Sequence, residues 1–546
     1  MIQNSPSIII ETIINDPIHG TIQLHPLCLK IIDTPEFQRL RYLKQIGTTY
    51  FVYPGASHDR FEHSIGVCHL AGKFVEILKA NQPDLDIDDE DVLCLKIAGL
   101  CHDLGHGPFS HVFEHIVSEI RGDQEGEEKW KHEIASINMF DHLIKENKLD
   151  DEFGKYNLKE KEKEFIKQLI YRKPYHEDPE KEDSAREEKT GHGKDKEFLY
   201  QIVANQTNGL DVDKWEYFAR DCYMLGISNN FDYGRCMQLA RVMKVDDRNQ
   251  ICFRDKERFD LIEMFHSRYT LHKRACKHKT GLIIDIMITD ALKAANEHYR
   301  KFPGSNGKLL TMSEAIDDMK AYTHLTDDII NDIRRSTADE LKDSREIFNR
   351  LAKRDLYKCI CRKTRTVGDA IGKISCEPYY DSKNKLVVRA SSSDNLFKQV
   401  ETEEPKGEMT CTIYHDLNGG RPIVKPVLSD DMLKHFKEKT QIDENTIKEG
   451  MMKLKPTLPK EQFIIKIAKF DYGSGNKNPI ENVTFFDKQG QIIEERNQAG
   501  RVRINQLICE WDVLVLYKRS SNTDVDVEVK KKEIKEAFEE HSKDWI

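Results

Sequence analysis

Apolar residues recur at helical spacing from about residue 25 to about residue 335, and at strand spacing only towards the end of the chain. His63, Val67, Leu70, Phe74 and Ile77 form one stripe at i, i+4, i+7, i+11 and i+14, the period of a helix with one face turned to a core. In the apolar segment Val92 to Leu100 the same period carries Leu95, then Ala98 or Gly99, then His102, so His102 is predicted to point inward. Past Leu351 the texture changes. Phe463, Ile465 and Ile467 alternate, as do Val513, Val515 and Tyr517, and turn residues stand at Asp471-Tyr472-Gly473-Ser474-Gly475 and Lys488-Gln489-Gly490. The pattern predicts a mainly α protein with an N-terminal segment 1–14, a helical core 15–335, a helical or irregular connecting region 336–450 and a smaller α+β lobe 451–546. Two polar stretches interrupt the core, Gly122 to Lys131 and Tyr171 to Glu197; the second is a charged loop, 171–197, dense in Glu, Lys, Asp and Arg.

Composition narrows the class. With 546 residues and 38% hydrophobic content the chain can bury a sizeable core and a second lobe. No stretch approaches the roughly 20 apolar residues of a spanning helix, and Met1 to Ile14 has neither a basic leader nor a sufficient apolar run for a secretory signal. The expected location is intracellular, nucleus or cytoplasm, with no membrane partner. Thirteen cysteines, odd in number and without zinc-ribbon spacing, fit reduced thiols better than a disulfide frame, and Cys359 and Cys361 stand too close together for a zinc knuckle. A net charge of −10 argues against a dedicated nucleic-acid binder but leaves room for a local basic patch.

The densest chemistry is His102-Asp103-Leu104-Gly105-His106-Gly107-Pro108-Phe109-Ser110-His111, three imidazoles and a carboxylate around a turn forced by two glycines and a proline. A buried imidazole beside a buried carboxylate needs partners or a cation. Two candidates lie elsewhere: His63, which leads the stripe above, and Asp213, which shares a helix face with Tyr217 and Asp221 opposite Trp215, Phe218 and Cys222. Taken singly, His63 reads first as a satisfied core histidine and the Asp213 face as a solvated one.

His63, His102-Asp103 and Asp213 together have the order H, HD, D. With Asn15-Asp16-Pro17-Ile18-His19-Gly20, Thr34-Pro35-Glu36-Phe37-Gln38-Arg39-Leu40-Arg41-Tyr42, Pro54-Gly55-Ala56-Ser57-His58 and Asp211 to Asp221, they make the chain resemble the HD-domain phosphohydrolases from about Asn15 to Leu325. Within these it is similar to the SAM-and-HD-domain-containing deoxynucleoside triphosphate triphosphohydrolases of animals, without their SAM module. The resemblance implies an HD-domain helical core followed by a regulatory or assembly lobe. Two imidazoles and two carboxylates, His63, His102, Asp103 and Asp213, form a mixed N/O set suited to Fe, Mn or Zn with positions left for water and a phosphate oxygen, while Mg²⁺ accompanies the nucleotide phosphates. His111 is the expected proton donor to a departing alkoxide, with His132, which precedes Glu133, and Glu114 to orient or recharge it.

The run Arg268 to Lys279 supplies cations for a triphosphate, with Arg268, His272 and Lys279 expected on one helical face. By resemblance Arg60, His106, His111, Lys214, Tyr217, Asp221, Arg268 and His272 hold phosphates and sugar, and Gln45 and Ile46 touch sugar and base. Cys276 stands where the family has a Tyr. The resemblance further implies a homotetramer driven by nucleotides: Asp33, Gln38 and Arg41 for GTP or dGTP, with Ile14 in the same allosteric set, and Val52, Arg235, Arg254, Lys256, His278 and Lys279 for a dNTP. Thr12, Leu239 and Asp260 replace a family Lys, Phe and Asn, and the Glu114 position is usually Asp. The implied purpose is dNTP catabolism or antiviral defence. Two alternatives remain at this point: an HD phosphodiesterase or nucleotidase, which needs no cationic run, and a catalytically silent, nucleotide-controlled assembly that binds single-stranded nucleic acid and survives loss of His102 and Asp103.

Overall fold

The computed structural model describes residues 12–122, 129–172, 192–366, 374–380, 386–392, 410–414, 423–427, 443–473, 478–493, 509–518, 525–543 and 545. The two charged interruptions, and most of the stretch from Ser375 to Met451, fall largely outside these residues. The chain forms two compact units, one of residues 1–356 and 472–501 and one of residues 357–471 and 502–546. No helix among the described residues is long and apolar enough to cross a membrane.

The first unit opens with a hairpin, β1 (Thr12–Asp16) against β2 (Gly20–Leu24), so Ile14 lies in a strand. Asp16 closes the turn by accepting the backbone N–H of Ile18 at 2.8 Å and of His19 at 2.9 Å. Helix α1 (Pro26–Ile32) follows, and Thr34, not Asp33, caps the next short turn with its hydroxyl. The central element is α2 (Arg60–Asn81), started by a capping box between Asp59 and Glu62 and buried on most of its turns. Helix α3 (Asp89–Cys101) has its own box between Asp88 and Asp91, and at Gly99 it comes against the backbone of Val67 on α2. That approach brings the ends of α2 and α3 that carry His63 and His102 together.

Helices α4 (His111–Arg121) and α5 (His132–Glu146) follow the loop after α3, while α6 (Glu160–Ile170) packs on α3 and α7 (Val212–Leu225) packs on α2. Trp215 of α7 is fully buried, its ring 5.4 Å from Phe74, 6.0 Å from Phe231 and 6.5 Å from Phe253. A Phe74→Ala change there would cost about 3–5 kcal/mol and loosen the helix that carries Asp213 against the one that carries His63.

The stretch from 25 to 335 is not purely helical. Strands β3 (Arg241–Val245) and β4 (Arg248–Arg254) make a tight antiparallel hairpin, and Phe485–Phe486, β5, adds to β4 in parallel. Asp246 and Asp247 form its turn in the left-handed region, which Asp tolerates better than most residues. Helices α8 (Arg258–Leu271) and α9 (Lys279–Asn296) then follow, and α9 packs on α10 (Lys342–Ala352), the first helix of the region expected to connect the lobes.

In the second unit β6 (Lys358–Thr366), β7 (Phe463–Asp471) and β8 (Cys509–Tyr517) form an antiparallel sheet with β8 in the centre. The alternating apolar sets are direct cross-strand partners: Phe463 faces Tyr517, Ile465 faces Val515 and Ile467 faces Val513. Helices Glu444–Leu454 and Val525–His541 cover it through Ile447, Met451, Ile534 and Phe538.

Candidate active site

His63 lies in the first turn of α2, His102 caps the end of α3, Asp103 follows it, and Asp213 lies in the first turn of α7. Their side chains converge. His63 Nε2 is 3.1 Å from Asp213 Oδ1 and 3.4 Å from Asp103 Oδ2, and His102 Nε2 is 3.3 Å from Asp213 Oδ1 and 3.4 Å from Asp103 Oδ1. Both Nε2 atoms are buried without a hydrogen-bond partner. The opposite nitrogens are committed: His102 Nδ1 donates to the Gly99 carbonyl at 2.8 Å, and His63 Nδ1 faces Glu216 Oε2 at 2.5 Å. Carbonyls and carboxylates only accept, so each Nδ1 carries a proton, which leaves each Nε2 able to turn a lone pair to a cation at the shared point.

Burial opposes ionisation of Asp213, but the facing imidazoles of His102 and His63 hold its carboxyl well below the usual range. Asp103 is likewise penalised by burial and held low by Arg60, His102 and His106. Two free imidazole lone pairs and two ionised carboxylates at one point fit a divalent cation, which satisfies what are otherwise orphaned buried atoms.

Behind this set stands a buried network that sequence reasoning did not assign. Glu216 is fully buried, accepts from Arg220 Nε at 2.7 Å and lies 3.3 Å from His19 Nε2, while Arg220 Nη2 donates to Asp16 at 2.9 Å. Its charge persists because His63, His19 and Arg220 outweigh the burial that would otherwise raise it. A Cβ on Gly66 would collide with the Glu216 carboxylate, so the glycine in α2 makes room for it. The available signal was the recurrence of Asp213, Glu216, Tyr217 and Arg220 at i, i+3, i+4 and i+7.

The loop after Asp103 is clamped at successive backbone groups. Arg39 donates to the carbonyls of Leu104 at 3.1 Å and His106 at 2.7 Å, Tyr322 donates to that of Gly105 at 2.8 Å, and Ser136 accepts the Gly105 N–H at 2.8 Å. Phe109 and Ser110 then occupy the left-handed region at φ 63° and 56°. Each such non-glycine residue costs about 1–3 kcal/mol, strain that surrounding contacts must hold in place. Ser110 donates to the Lys44 carbonyl at 2.6 Å and accepts from Arg60 Nε at 2.8 Å.

Beyond the turn, His106, His111, Glu114 and His132 form a second cluster. One oxygen, Glu114 Oε1, lies 2.5 Å from His132 Nδ1 and 3.5 Å from His111 Nδ1. Burial would raise the Glu114 carboxyl, yet hydrogen bonds from His111 and His132 lower it to about 2. His106 stacks on His132 with centroids 3.8 Å apart and planes 20° apart. Burial, Arg60 and His132 keep His106 well below its usual range and hence neutral. His111 stands apart from this burial. It is the first residue of α4 and its side chain is 73% exposed, on the open rim 5.0 Å from the His106 ring.

The remaining predicted binding residues gather around these two clusters, with one exception. Arg60 is buried, bonded to Asp103, Ser110 and the Gln45 carbonyl, and Gln45 Oε1 is buried without a partner. Ile46 leads into the turn Gly47–Phe51. Lys214 pairs with Asp211 at 2.9 Å, the Tyr217 ring lies 6.5 Å from that of His63, and Asp221 accepts from His58, unassigned from sequence, at 2.6 Å. Arg268 acts electrostatically on Lys214, Tyr217 and His272, and Asp221 on Cys276. Burial, Arg268 and Lys277 push His272 well below its usual range. Lys279 does not share the helical face of Arg268 and His272: a π turn, His272–Cys276, ends the helix, and His278 caps a new one that Lys279 begins.

The residues expected to hold regulatory nucleotides fall into three groups. Gln38 accepts from Arg41 at 2.8 Å and donates to Ile32, next to the exposed Asp33, while Arg41 lies 3.4 Å over the Phe61 ring. Arg235 pairs with Glu257 at 2.7 Å beside Arg254 and Lys256 in sequence. Val52 ends the 47–51 turn, against which α9 packs with His278 and Lys279 at its start.

Residues 60–198 match the HD domain family. The deoxynucleoside triphosphate triphosphohydrolase SAMHD1 of Xenopus laevis is 52% identical over 508 residues, 92% of this chain and 70% of that protein. The human protein of the same name is 44% identical over 91% of this chain and 67% of its own length. A Dictyostelium discoideum homolog is 42% identical over 64% of this chain and 60% of its own. The chain belongs to the SAMHD1 family of HD-domain proteins.

Proposed function

We propose that this chain is a metal-dependent deoxynucleoside triphosphate triphosphohydrolase, the activity for which its Xenopus and human relatives are named. It cleaves a dNTP at the α-phosphorus and releases deoxynucleoside and inorganic triphosphate. The observation that carries this reading is the pair of buried, unpartnered Nε2 atoms on His63 and His102 facing Asp103 and Asp213.

A divalent cation held there, Fe, Mn or Zn, supplies an acidified water with a pKa towards about 7 and neutralises charge on a phosphoryl oxygen. The chain's own residues do the rest. Lys214, Arg268 and His272 hold the phosphates with Mg²⁺, and Tyr217, Asp221, Gln45, Ile46 and Cys276 surround the nucleoside. Arg60 holds Asp103 and the Ser110 turn while presenting charge to the phosphates. As water oxygen bonds to the α-phosphorus, the bond to the sugar 5′-oxygen breaks and that oxygen takes a proton from His111 Nε2, while the water's own proton leaves to solvent. Glu114, bridging His111 and His132 through one oxygen, steadies the charged donor and lets His132 restore its proton. His106, neutral and buried, is placed to donate to a phosphate oxygen.

Asp33 can accept both N1–H and the 2-amino group of guanine, a pair adenine lacks, so GTP or dGTP is the activator assigned to Asp33, Gln38 and Arg41 beside Ile14. A dNTP on Val52, Arg235, Arg254, Lys256, His278 and Lys279 completes assembly to a tetramer by neutralising cationic surfaces of facing subunits.

The test is incubation of the purified chain with each dNTP, with and without GTP, followed by mass-spectrometric identification of products. Deoxynucleoside plus triphosphate, increased by GTP, is expected. Monophosphate plus pyrophosphate, or no turnover, would refute the reading.

A further inference from the structure

Asp327 lies between the short helix Met319–Tyr322 and the helix Ile329–Arg335, far along the chain from the loop it touches. Its two carboxylate oxygens do separate things. Oδ1 accepts the backbone N–H of Phe109 at 2.7 Å, and Oδ2 accepts that of Lys44 at 3.0 Å. Its own N–H donates to the Tyr42 carbonyl at 3.1 Å, which fixes Asp327 to the same loop. The Lys44 ammonium is committed elsewhere, to Asp59 at 2.8 Å and the Ser57 carbonyl at 2.7 Å, so the carboxylate serves backbone donors rather than a surface ion pair.

The two segments it joins are the ones that aim the reacting groups. Phe109 opens the left-handed pair that directs the chain into α4, whose first residue is His111 and whose first turn holds Glu114. Lys44 gives its carbonyl to Ser110, and the next residue, Gln45, gives its carbonyl to Arg60. Two strained residues in succession need a partner that fixes the N–H direction of the first. A carboxylate accepts from both segments at once, and although burial pushes the Asp327 carboxyl up to about 7, the two N–H groups pull it back towards the ionised form; an amide in its place offers one acceptor and turns a donor against the other N–H.

We propose that Asp327 is the positioning residue of the proton relay, a carboxylate strut that fixes the entry of α4 and so where His111 and Glu114 point. This rests on the reading of His111, Glu114 and His132 as the relay.

The experiment compares wild type, Asp327→Asn and Asp327→Glu as full-length chains for kcat, KM, metal content and melting temperature. For Asn we expect kcat to fall about 10- to 100-fold, the range that a small misplacement of reacting groups produces, with KM and bound metal unchanged. Glu, which keeps the charge on a longer arm, should recover part of that loss. If Asn fails to fold, a lowered kcat for Glu with unchanged KM and metal supports the strut. Unchanged kcat in the folded variants, loss of rate in proportion to loss of metal or fold, or failure of both variants to fold overturns it. An inactive wild type would instead refute the proposed function.

Discussion

His63 Nδ1 lies 2.5 Å from Glu216 Oε2, and this contact decides which nitrogen of the ring faces Asp103 and Asp213. Glu216→Gln leaves an amide able to present its NH₂ to that nitrogen and weakens the preference for the required tautomer. Metal affinity should drop about 10- to 100-fold, as for other residues that orient a metal ligand. Competition with a chromogenic chelator measures it; an unchanged dissociation constant would show that Glu216 serves only the Arg220 and Asp16 pairing.

Glu114→Gln should lower kcat by about 10²- to 10⁴-fold, the usual worth of acid–base catalysis, with little effect on KM. Glu114→Asp should retain most of the rate, because a carboxylate is kept at the bridge. Equal kcat in the Gln variant and wild type would remove Glu114 from the relay.

The same residue makes a prediction about acid stability. Its folded carboxyl sits at about 2, below its ordinary value of 4.5, because the imidazole hydrogen bonds outweigh burial. A depressed carboxyl contributes stability that is present above the unfolded value and is lost as pH falls through the folded one. Wild type and Glu114→Gln should therefore differ most in melting temperature above pH 5 and converge towards pH 2. A difference that does not change with pH would contradict the assignment.

In the proposed nucleoside pocket Cys276 leaves room that a larger ring would fill, and burial raises its thiol to about 12, so a role there rests on size rather than on a thiolate. Cys276→Tyr should change the relative rates on dGTP, dATP, dCTP, dUTP and GTP. Coincident profiles in steady-state assays would show that this position does not touch specificity.

Asp33→Ala should abolish both the rise in activity and the rise in mass that GTP produces, while leaving metal content intact. Light scattering with and without GTP checks the mass. Equal activation of the variant would assign guanine to other residues.

Much of this arrangement was legible in the residues because it depends on local period. The stripe from His63 to Phe74 and the inward turn of His102 follow from a spacing that one helix imposes, and the alternating sets at 463–467 and 513–517 became cross-strand partners. The supports were not legible. Glu216 meets His63 across 153 positions and Asp327 meets Phe109 across 218, and no local rule connects such pairs. The break at His272–Cys276 contains no glycine or proline to announce it, so Lys279 was expected on a face it does not share. The hairpin at 241–254 did carry a signal, Asp246-Asp247, whose tolerance of left-handed backbone went unread amid helical neighbours.

Anomalous diffraction at the metal edge from crystals of the full chain tests the central claim most directly. We predict one peak at about 2.0–2.2 Å from His63 Nε2, His102 Nε2 and carboxylate oxygens of Asp103 and Asp213. A peak elsewhere, or metal-replete active protein without density between these four side chains, would contradict it.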